Sequence, residues 1–478
     1  MTEIFPSIKR QALENKHKSK IEINNDLNRQ LVSYQANKTI KFFRWFKYKE
    51  AFSQPMVSYI LNRLTKKPGY MLDPFAGIGS ALFTARDKGW RTTGIELLPV
   101  GIFAIKTRLA AENVTLEDFR KAIDSVKNKV WMKYISSLPV FHHVRISHGA
   151  YPENTEKKIH AYLTYCNQEI DDENLRTLLK FAAFSILEPI SYTRKDGQYL
   201  RWTNTPNRPY ATKKKITKHI LEFEPSIINQ LEMMWEDINV VQGDLFSQSG
   251  LVKPRQQKQE ATVYEDSCLT RLSKIKARRY DFIITSPPYC NRYDYTRTYA
   301  LELVFLGADE EKIRQLRQEM LSCTVENLEK VNELQTYYKK QRRSKLFKEA
   351  VKAFESQEAL QEVLQILDTL REQDKLNNPG IARMVRNYFL EMSFVIHECA
   401  RLMKPGAYFV MVNDNVSYHG QSVPVDLILS EFAIASGLDV EKIWKLGKGK
   451  GQSSQQMGRY GRQEQRKCVY IWKRPKVK

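Results

Sequence analysis

The stretch GYMLDPFAGIGS, residues 69–80, decides the fold. Its apolar start ending at Asp73 reads as a strand, PFAGIG as a glycine turn, and ALFTARDKG behind it as a helix. WRTTGIE, residues 90–96, reads as a second strand, and the segment from Leu98 through Ala111 as a second helix. This β-α-β-α rhythm predicts an α/β fold: a doubly wound, Rossmann-like parallel sheet with helical and mixed insertions. In such a sheet the first glycine turn opens onto the crevice at the strand ends, where backbone can approach a ligand closely. Glu96 ends the next strand about 20 residues beyond Gly77, the place from which a carboxylate reaches ribose hydroxyls. The turn departs from the dinucleotide fingerprint, and no phosphate-binding GxxxxGK[ST] is present, so a phosphate-free nucleoside is favoured over NAD or ATP.

Further along, YDFIITSPPY, residues 280–289, sets a rigid proline turn at the carboxyl end of another apolar strand. The Ser286 hydroxyl and the Pro287 carbonyl can orient an amino group toward an electrophilic methyl, and Tyr289 offers a ring for stacking. Cys290 follows Tyr289 and reads as a packing residue, not a nucleophile.

Together, DPFAGIG, Glu96 and TSPPY resemble the S-adenosylmethionine-dependent DNA amino-methyltransferases of bacterial modification systems. The resemblance extends to RWFKYKEAFS, residues 44–53, before the glycine turn, and to NRYDYTR, residues 291–297, after the proline turn. It implies that Trp45, Phe52 and Ser53 help cover the methionine end of S-adenosylmethionine and that Asp73, Phe75, Gly77 and Gly79 line the cofactor. It further implies that Glu96 binds ribose, that Asp244 in GDLF approaches the adenine amino group, and that Ser286, Pro287, Pro288 and Tyr289 hold a flipped base. Ser at the first position of SPPY implies cytosine N4 as the methylated atom; N6-adenine DNA methylation and RNA methylation are the alternatives. Transfer would be an in-line displacement requiring no metal. Double-stranded DNA is the implied substrate, and a cognate restriction endonuclease or a defence-system subunit the implied partner.

Charge agrees with a nucleic-acid partner: 76 Lys and Arg stand against 54 Asp and Glu, a net +22. Candidate DNA contacts are Arg194, Lys195, Gln198, Tyr199 and Arg201 in YTRKDGQYLRW, with Lys213, Lys214 and Lys215 shortly after. Arg292, Tyr293 and Arg297 follow the proline turn, and Lys448 and Lys450 lie in GKGKGQSS. No apolar run reaches the length of a membrane span and no signal peptide is recognisable, so the expected location is the cytoplasm. The six cysteines form no CxxC pair, and neither a disulfide framework nor a metal site is indicated.

Five segments are expected. Residues 1–111 carry a basic arm, an aromatic helix at KFFRWFKYKEAFS and the cofactor-binding half. Residues 112–237 form an inserted module for target recognition. Residues 238–308 form the catalytic half, opening with a strand at INVVQGDLF and a loop over 247–279. Residues 309–380 form a charged helical insertion, read as a pair of solvated helices, and 381–478 complete the sheet.

Overall fold

The computed structural model describes residues 7–135, 142–196, 199–203, 218–247, 259–447, 450–451 and 464–476. Its frame is an eight-stranded sheet. The strands are β1 (Ile21–Ile23), β2 (Tyr70–Asp73), β3 (Arg91–Glu96), β4 (Ala261–Glu265), β5 (Tyr280–Thr285), β6 (Met403–Asp414), β7 (Asp439–Lys445) and β8 (Lys467–Lys473). They lie in the order β1-β7-β8-β6-β5-β2-β3-β4. β8 runs antiparallel to β6 and β7, and every other neighbouring pair is parallel.

Strand alternation explains why both faces are covered. Met71 and Phe282, opposite each other on β2 and β5, pack with Met56, Val57 and Leu82 on one face. Leu72 and Ile283, one residue on, pack with the long helix Gly380–Leu402 on the other. A parallel sheet buried on both sides needs such continuous apolar strands. The chain order reverses between β2 and β5, so the loops leaving their carboxyl ends splay apart and open a crevice there.

Several sequence expectations are corrected. INVVQGDLF is not a strand: it is the carboxyl-terminal part of the helix Phe223–Ser247, which crosses the boundary placed at 237. The strand beside β3 is instead β4, followed by the helix Cys268–Lys274, both inside the stretch read as a loop. Short, half-exposed β4 lies at the sheet edge, where no continuous apolar run is required. The basic start is not a free arm. The helix Ile8–His17 docks through Arg10 on Glu362 and His17 on Glu431, at 2.7 Å each, and β1 extends the sheet. KFFRWFKYKEAFS forms a single 3-10 turn, Phe43–Trp45, where a longer helix was expected. The 309–380 insertion holds four helices, Glu310–Glu319, Val331–Lys340, Ser344–Ser356 and Glu358–Glu372, and Phe347, Phe354, Leu360, Leu364 and Leu367 are buried in the main core.

Between β3 and β4 lie the helices Leu116–Lys127, Glu153–Glu169, Glu173–Ile186 and Phe223–Ser247, and a hairpin pairing Thr193–Asp196 with Tyr199–Trp202. Asp237, 1% exposed, ties this helical body to the segment preceding β2. Its carboxylate accepts from Phe42 N at 2.8 Å, Trp45 Nε1 at 2.9 Å and Arg44 Nη2 at 2.7 Å. Asp237→Ala strands a buried amide, an indole and a guanidinium at once. It is expected to lower unfolding free energy by about 3 kcal/mol, measured by urea denaturation.

Candidate active site

The crevice at the reversal is a cleft of about 750 Å³ whose wall includes Phe52, Asp73, Phe75, Gly77, Glu96 and Ser286. Its floor is the turn after β2. Gly77 and Gly79 both adopt positive φ, +54° and +80°, which only glycine holds without strain. A Cβ on Gly77 would sit 3.3 Å from the Tyr48 ring, and one on Gly79 would meet Phe83 at 2.8 Å. Gly77 thus faces the cleft, whereas Gly79 serves the packing of the helix Ser80–Arg86 beneath it. From the next helix, Gly101 lets the Gly77 carbonyl approach to where a Cβ would lie 2.5 Å away, a requirement the sequence reading did not recognise.

Two carboxylates brace this turn. Glu96, at the end of β3, accepts from Gly77 N and from Leu98 N, each at 2.7 Å. Asp73, 1% exposed, accepts on the single oxygen Oδ1 from Phe75 N at 3.0 Å and from the Thr285 hydroxyl at 2.7 Å. Thr285 begins TSPPY, so one hydrogen bond joins the glycine turn to the proline turn. Burial pushes both carboxyls up to about 7, against their hydrogen bonds.

The proline turn continues from β5 with Ser286 part-buried, Pro287 buried, and Pro288 and Tyr289 part-buried. Ser286 and Pro288 reach the cleft wall. The Ser286 hydroxyl donates to Tyr289 Oη at 3.3 Å, and the Lys467 ammonium lies 6.0 Å from the Tyr289 ring centre. Burial, with Asp414 nearby, raises the Tyr289 phenol far above its ordinary range, so it stays neutral.

The structure distributes the other expected cofactor residues differently. Trp45 is buried behind the wall with its indole on Asp237. Ser53, fully buried, caps the helix Gln54–Leu64, with its hydroxyl donating to Leu31 O and accepting from Met56 N at 3.2 Å. Asp244 falls within the helix Phe223–Ser247, not at the end of a strand, which overturns the geometry expected for it; its side chain lies outside the described residues. The acid that does follow the strand next to β3 is Asp266, in the cleft wall, with Oδ1 accepting from Ser267 N at 2.8 Å and Thr270 Oγ1 at 3.0 Å. VYEDS carries the signal for it, a β-branched and aromatic run ending in an acid. Glu50, also in the wall, was passed over as well.

Of the expected DNA contacts, Arg194 and Arg201 oppose each other across the hairpin and are exposed. Lys195 is a correction. It alternates to the inner face, is 2% exposed, and its ammonium pairs with buried Glu302 instead of meeting solvent. The hairpin strand Tyr199–Trp202 packs beside the short helix Tyr295–Thr298 that follows the proline turn. Arg292 is part-buried at φ +66°, and Tyr293, 8% exposed, packs edge-on against Tyr295. Arg297 pairs with Asp294 and Glu326. Gln198, Lys213, Lys214, Lys215 and Lys448 lie outside the described residues, as do the side chains of Tyr199 and Lys450.

A mostly parallel sheet, a glycine turn braced by an acid on the next strand, and a proline turn at the reversal define a Rossmann-like methyltransferase. The chain is 44% identical over 471 residues to the type II methyltransferase M.AvaI of Nostoc sp. and to its namesake in Anabaena variabilis, covering 97% of this chain and 93% of each relative. It is 39% identical over 488 residues to the type II methyltransferase M.BsoBI of Geobacillus stearothermophilus, covering 98% and 93%. This chain belongs to the type II DNA methyltransferases of restriction-modification systems. No family model and no solved structure matches it. Among the described residues no helix is long and apolar enough to cross a membrane.

The raised carboxyls give a stability signature. Between the unfolded value of 3.8 and about 7, Asp73 holds a proton only in the folded state, so its contribution declines as pH rises through that window. Asp73→Asn keeps both hydrogen bonds on Oδ1 and removes the titration. Thermal denaturation of the ligand-free variant is expected to depend less on pH between about 4 and about 7 than that of the parent.

Proposed function

We propose that this protein transfers a methyl group from S-adenosylmethionine to cytosine N4 in double-stranded DNA. The observation that carries the reading is the TSPPY turn hydrogen-bonded through Thr285 to the glycine turn, with both facing one cleft. The wall suits the cofactor. Glu96 can take ribose hydroxyls, Asp266 can accept from an adenine amino group, Phe52 and Phe75 supply apolar cover, and Gly77 brings side-chain-free backbone to the cleft wall. When bound, S-adenosylmethionine supplies an electrophilic methyl on a sulfonium.

The protein's own share is positioning. The Ser286 hydroxyl and the Pro287 carbonyl accept from the target amino group and aim its lone pair, on a backbone that two prolines hold rigid. Tyr289 receives the base as a stacking surface. A base within a duplex cannot reach the cleft, so the nucleotide must swing out, at a cost of a few kcal/mol that backbone contacts offset. Exposed Arg194 and Arg201, on a hairpin beside the proline turn, suit those contacts. Residues 112–237 are the proposed target-recognition module, and a cognate restriction endonuclease is the expected functional partner. Cytosine is preferred over adenine because Ser, not Asp, occupies the first position of the proline turn.

Nucleoside mass spectrometry of DNA incubated with the protein and methyl-labelled S-adenosylmethionine is expected to give labelled N4-methylcytosine, absent with a Ser286→Ala, Pro287→Ala variant. Labelled N6-methyladenine would overturn the base assignment and leave the class intact. Tyr289→Ala is expected to lower turnover about 100-fold with cofactor affinity retained, measured by calorimetry alongside single-turnover kinetics.

A further inference from the structure

Methylating a neutral amino group releases a proton, and the proline turn has nothing that takes one at neutral pH. Ser286, Pro287 and Pro288 carry no group basic enough to take a proton near neutrality, and the Tyr289 phenol is driven further from ionisation by burial. Four carboxylates line the cleft: Glu50, Asp73, Glu96 and Asp266. Three of them accept from backbone N–H groups just beyond the ends of β2, β3 and β4. Asp73 Oδ1 holds Phe75 N and Thr285, Glu96 holds Gly77 N and Leu98 N, and Asp266 Oδ1 holds Ser267 N and Thr270.

Glu50 is placed differently. It enters the wall from the segment before β2, and Oε2 accepts a hydrogen bond from the Tyr299 hydroxyl, on the chain that continues from the proline turn. Tyr48 stacks on Tyr299 with ring centres 5.0 Å apart, and Tyr295 shares the cleft wall with Glu50, Ser286 and Pro288. Beneath Tyr299, the buried Lys195 ammonium lies 4.5 Å from its ring centre and pairs with Glu302. The carboxylate is therefore held by the Tyr299 hydroxyl among aromatic rings, in the same cleft wall as Ser286 and Pro288 of the turn that would hold the amino group.

We propose that Glu50 is the proton acceptor of the methyl transfer, supplying the carboxylate that Ser286 does not. This rests on the function proposed above. As the amino nitrogen forms its bond to the methyl carbon, the carbon–sulfur bond breaks and its electron pair stays on sulfur. The nitrogen, now bearing positive charge, gives one N–H proton to the Glu50 carboxylate, which returns it to solvent. The titratable groups facing Glu50 are Tyr48, Tyr293, Tyr295 and Tyr299, with Lys195 behind them. Burial raises the Glu50 carboxyl, while Tyr293, Tyr299 and Lys195 draw it back down. The reactive form is ionised, so the rate falls as pH drops through that raised value.

The test compares parent, Glu50→Gln and Tyr299→Phe by single-turnover methyl transfer across pH on unmethylated genomic DNA. Calorimetric affinity for S-adenosylmethionine and thermal melts are measured on the same preparations. Glu50→Gln is expected to lose about 100-fold in rate and the acid limb of the profile, with cofactor affinity unchanged. Tyr299→Phe removes a hydrogen bond that favours the ionised carboxyl, so its acid limb is expected to move to higher pH. The second variant decides the matter if the first melts too low to assay. A Glu50→Gln enzyme with the parental rate and profile overturns the proposal, as does a loss of cofactor affinity matching the loss of rate, or an unmoved acid limb in Tyr299→Phe. A parent enzyme that places no methyl on DNA would instead refute the underlying function, whatever the variants do.

Discussion

The hydrogen bond from the Thr285 hydroxyl to Asp73 Oδ1, 2.7 Å long and fully buried, is the constraint around which the site is arranged. The two residues end adjacent parallel strands, β2 and β5, at the point where chain order reverses. Reversal sends the two loops apart and makes a cleft, and the hydrogen bond fixes how far apart they begin. The same Asp73 oxygen also caps the glycine turn through Phe75 N, so a shift of either loop is felt by the other. In a low-dielectric interior such a bond is strong when made and costly when broken.

The charge of the chain is used in two ways. Arg194 and Arg201 remain outside on the hairpin, where phosphate could be met. Other cations are turned inward as fasteners. Lys195 closes on Glu302, Arg44 on Asp237, and Lys218 donates to the carbonyls of Ser191 and Thr193 at 2.8 Å each. The hairpin is thereby held from beneath by the same buried pair that underlies Tyr299 and, through it, Glu50.

Legibility in the sequence followed locality. The glycine turn, Glu96 and the proline turn could be read because each needs only its own few residues: positive φ at Gly77 and Gly79, a strand end at Glu96, two fixed prolines after Ile284. Asp266 was missed because β4 is an edge strand of five residues after a polar run, while INVVQGDLF has enough β-branched residues to imitate a strand and yet continues a long helix. The aromatic run at 41–53 looks periodic, but its side chains serve unrelated neighbours: Trp45 meets Asp237, Phe46 meets Phe184, and Tyr48 meets Tyr299. Lys195 was legible in hindsight, since strand alternation puts it on the face opposite Arg194 and beside Leu200. Glu50 was not, because its place in the cleft is fixed by a hydrogen bond from Tyr299, some 250 residues away in the chain.

The most direct test of the central claim is Thr285→Val, which keeps the strand and its packing and removes only the hydroxyl. Calorimetric affinity for S-adenosylmethionine and the single-turnover rate at saturating cofactor would be measured on the same preparation. The account predicts that both fall, each by about tenfold, because the glycine turn and the proline turn lose their common register although Thr285 is buried and not part of the cleft wall. A variant that binds cofactor like the parent, with or without a slower rate, would contradict it.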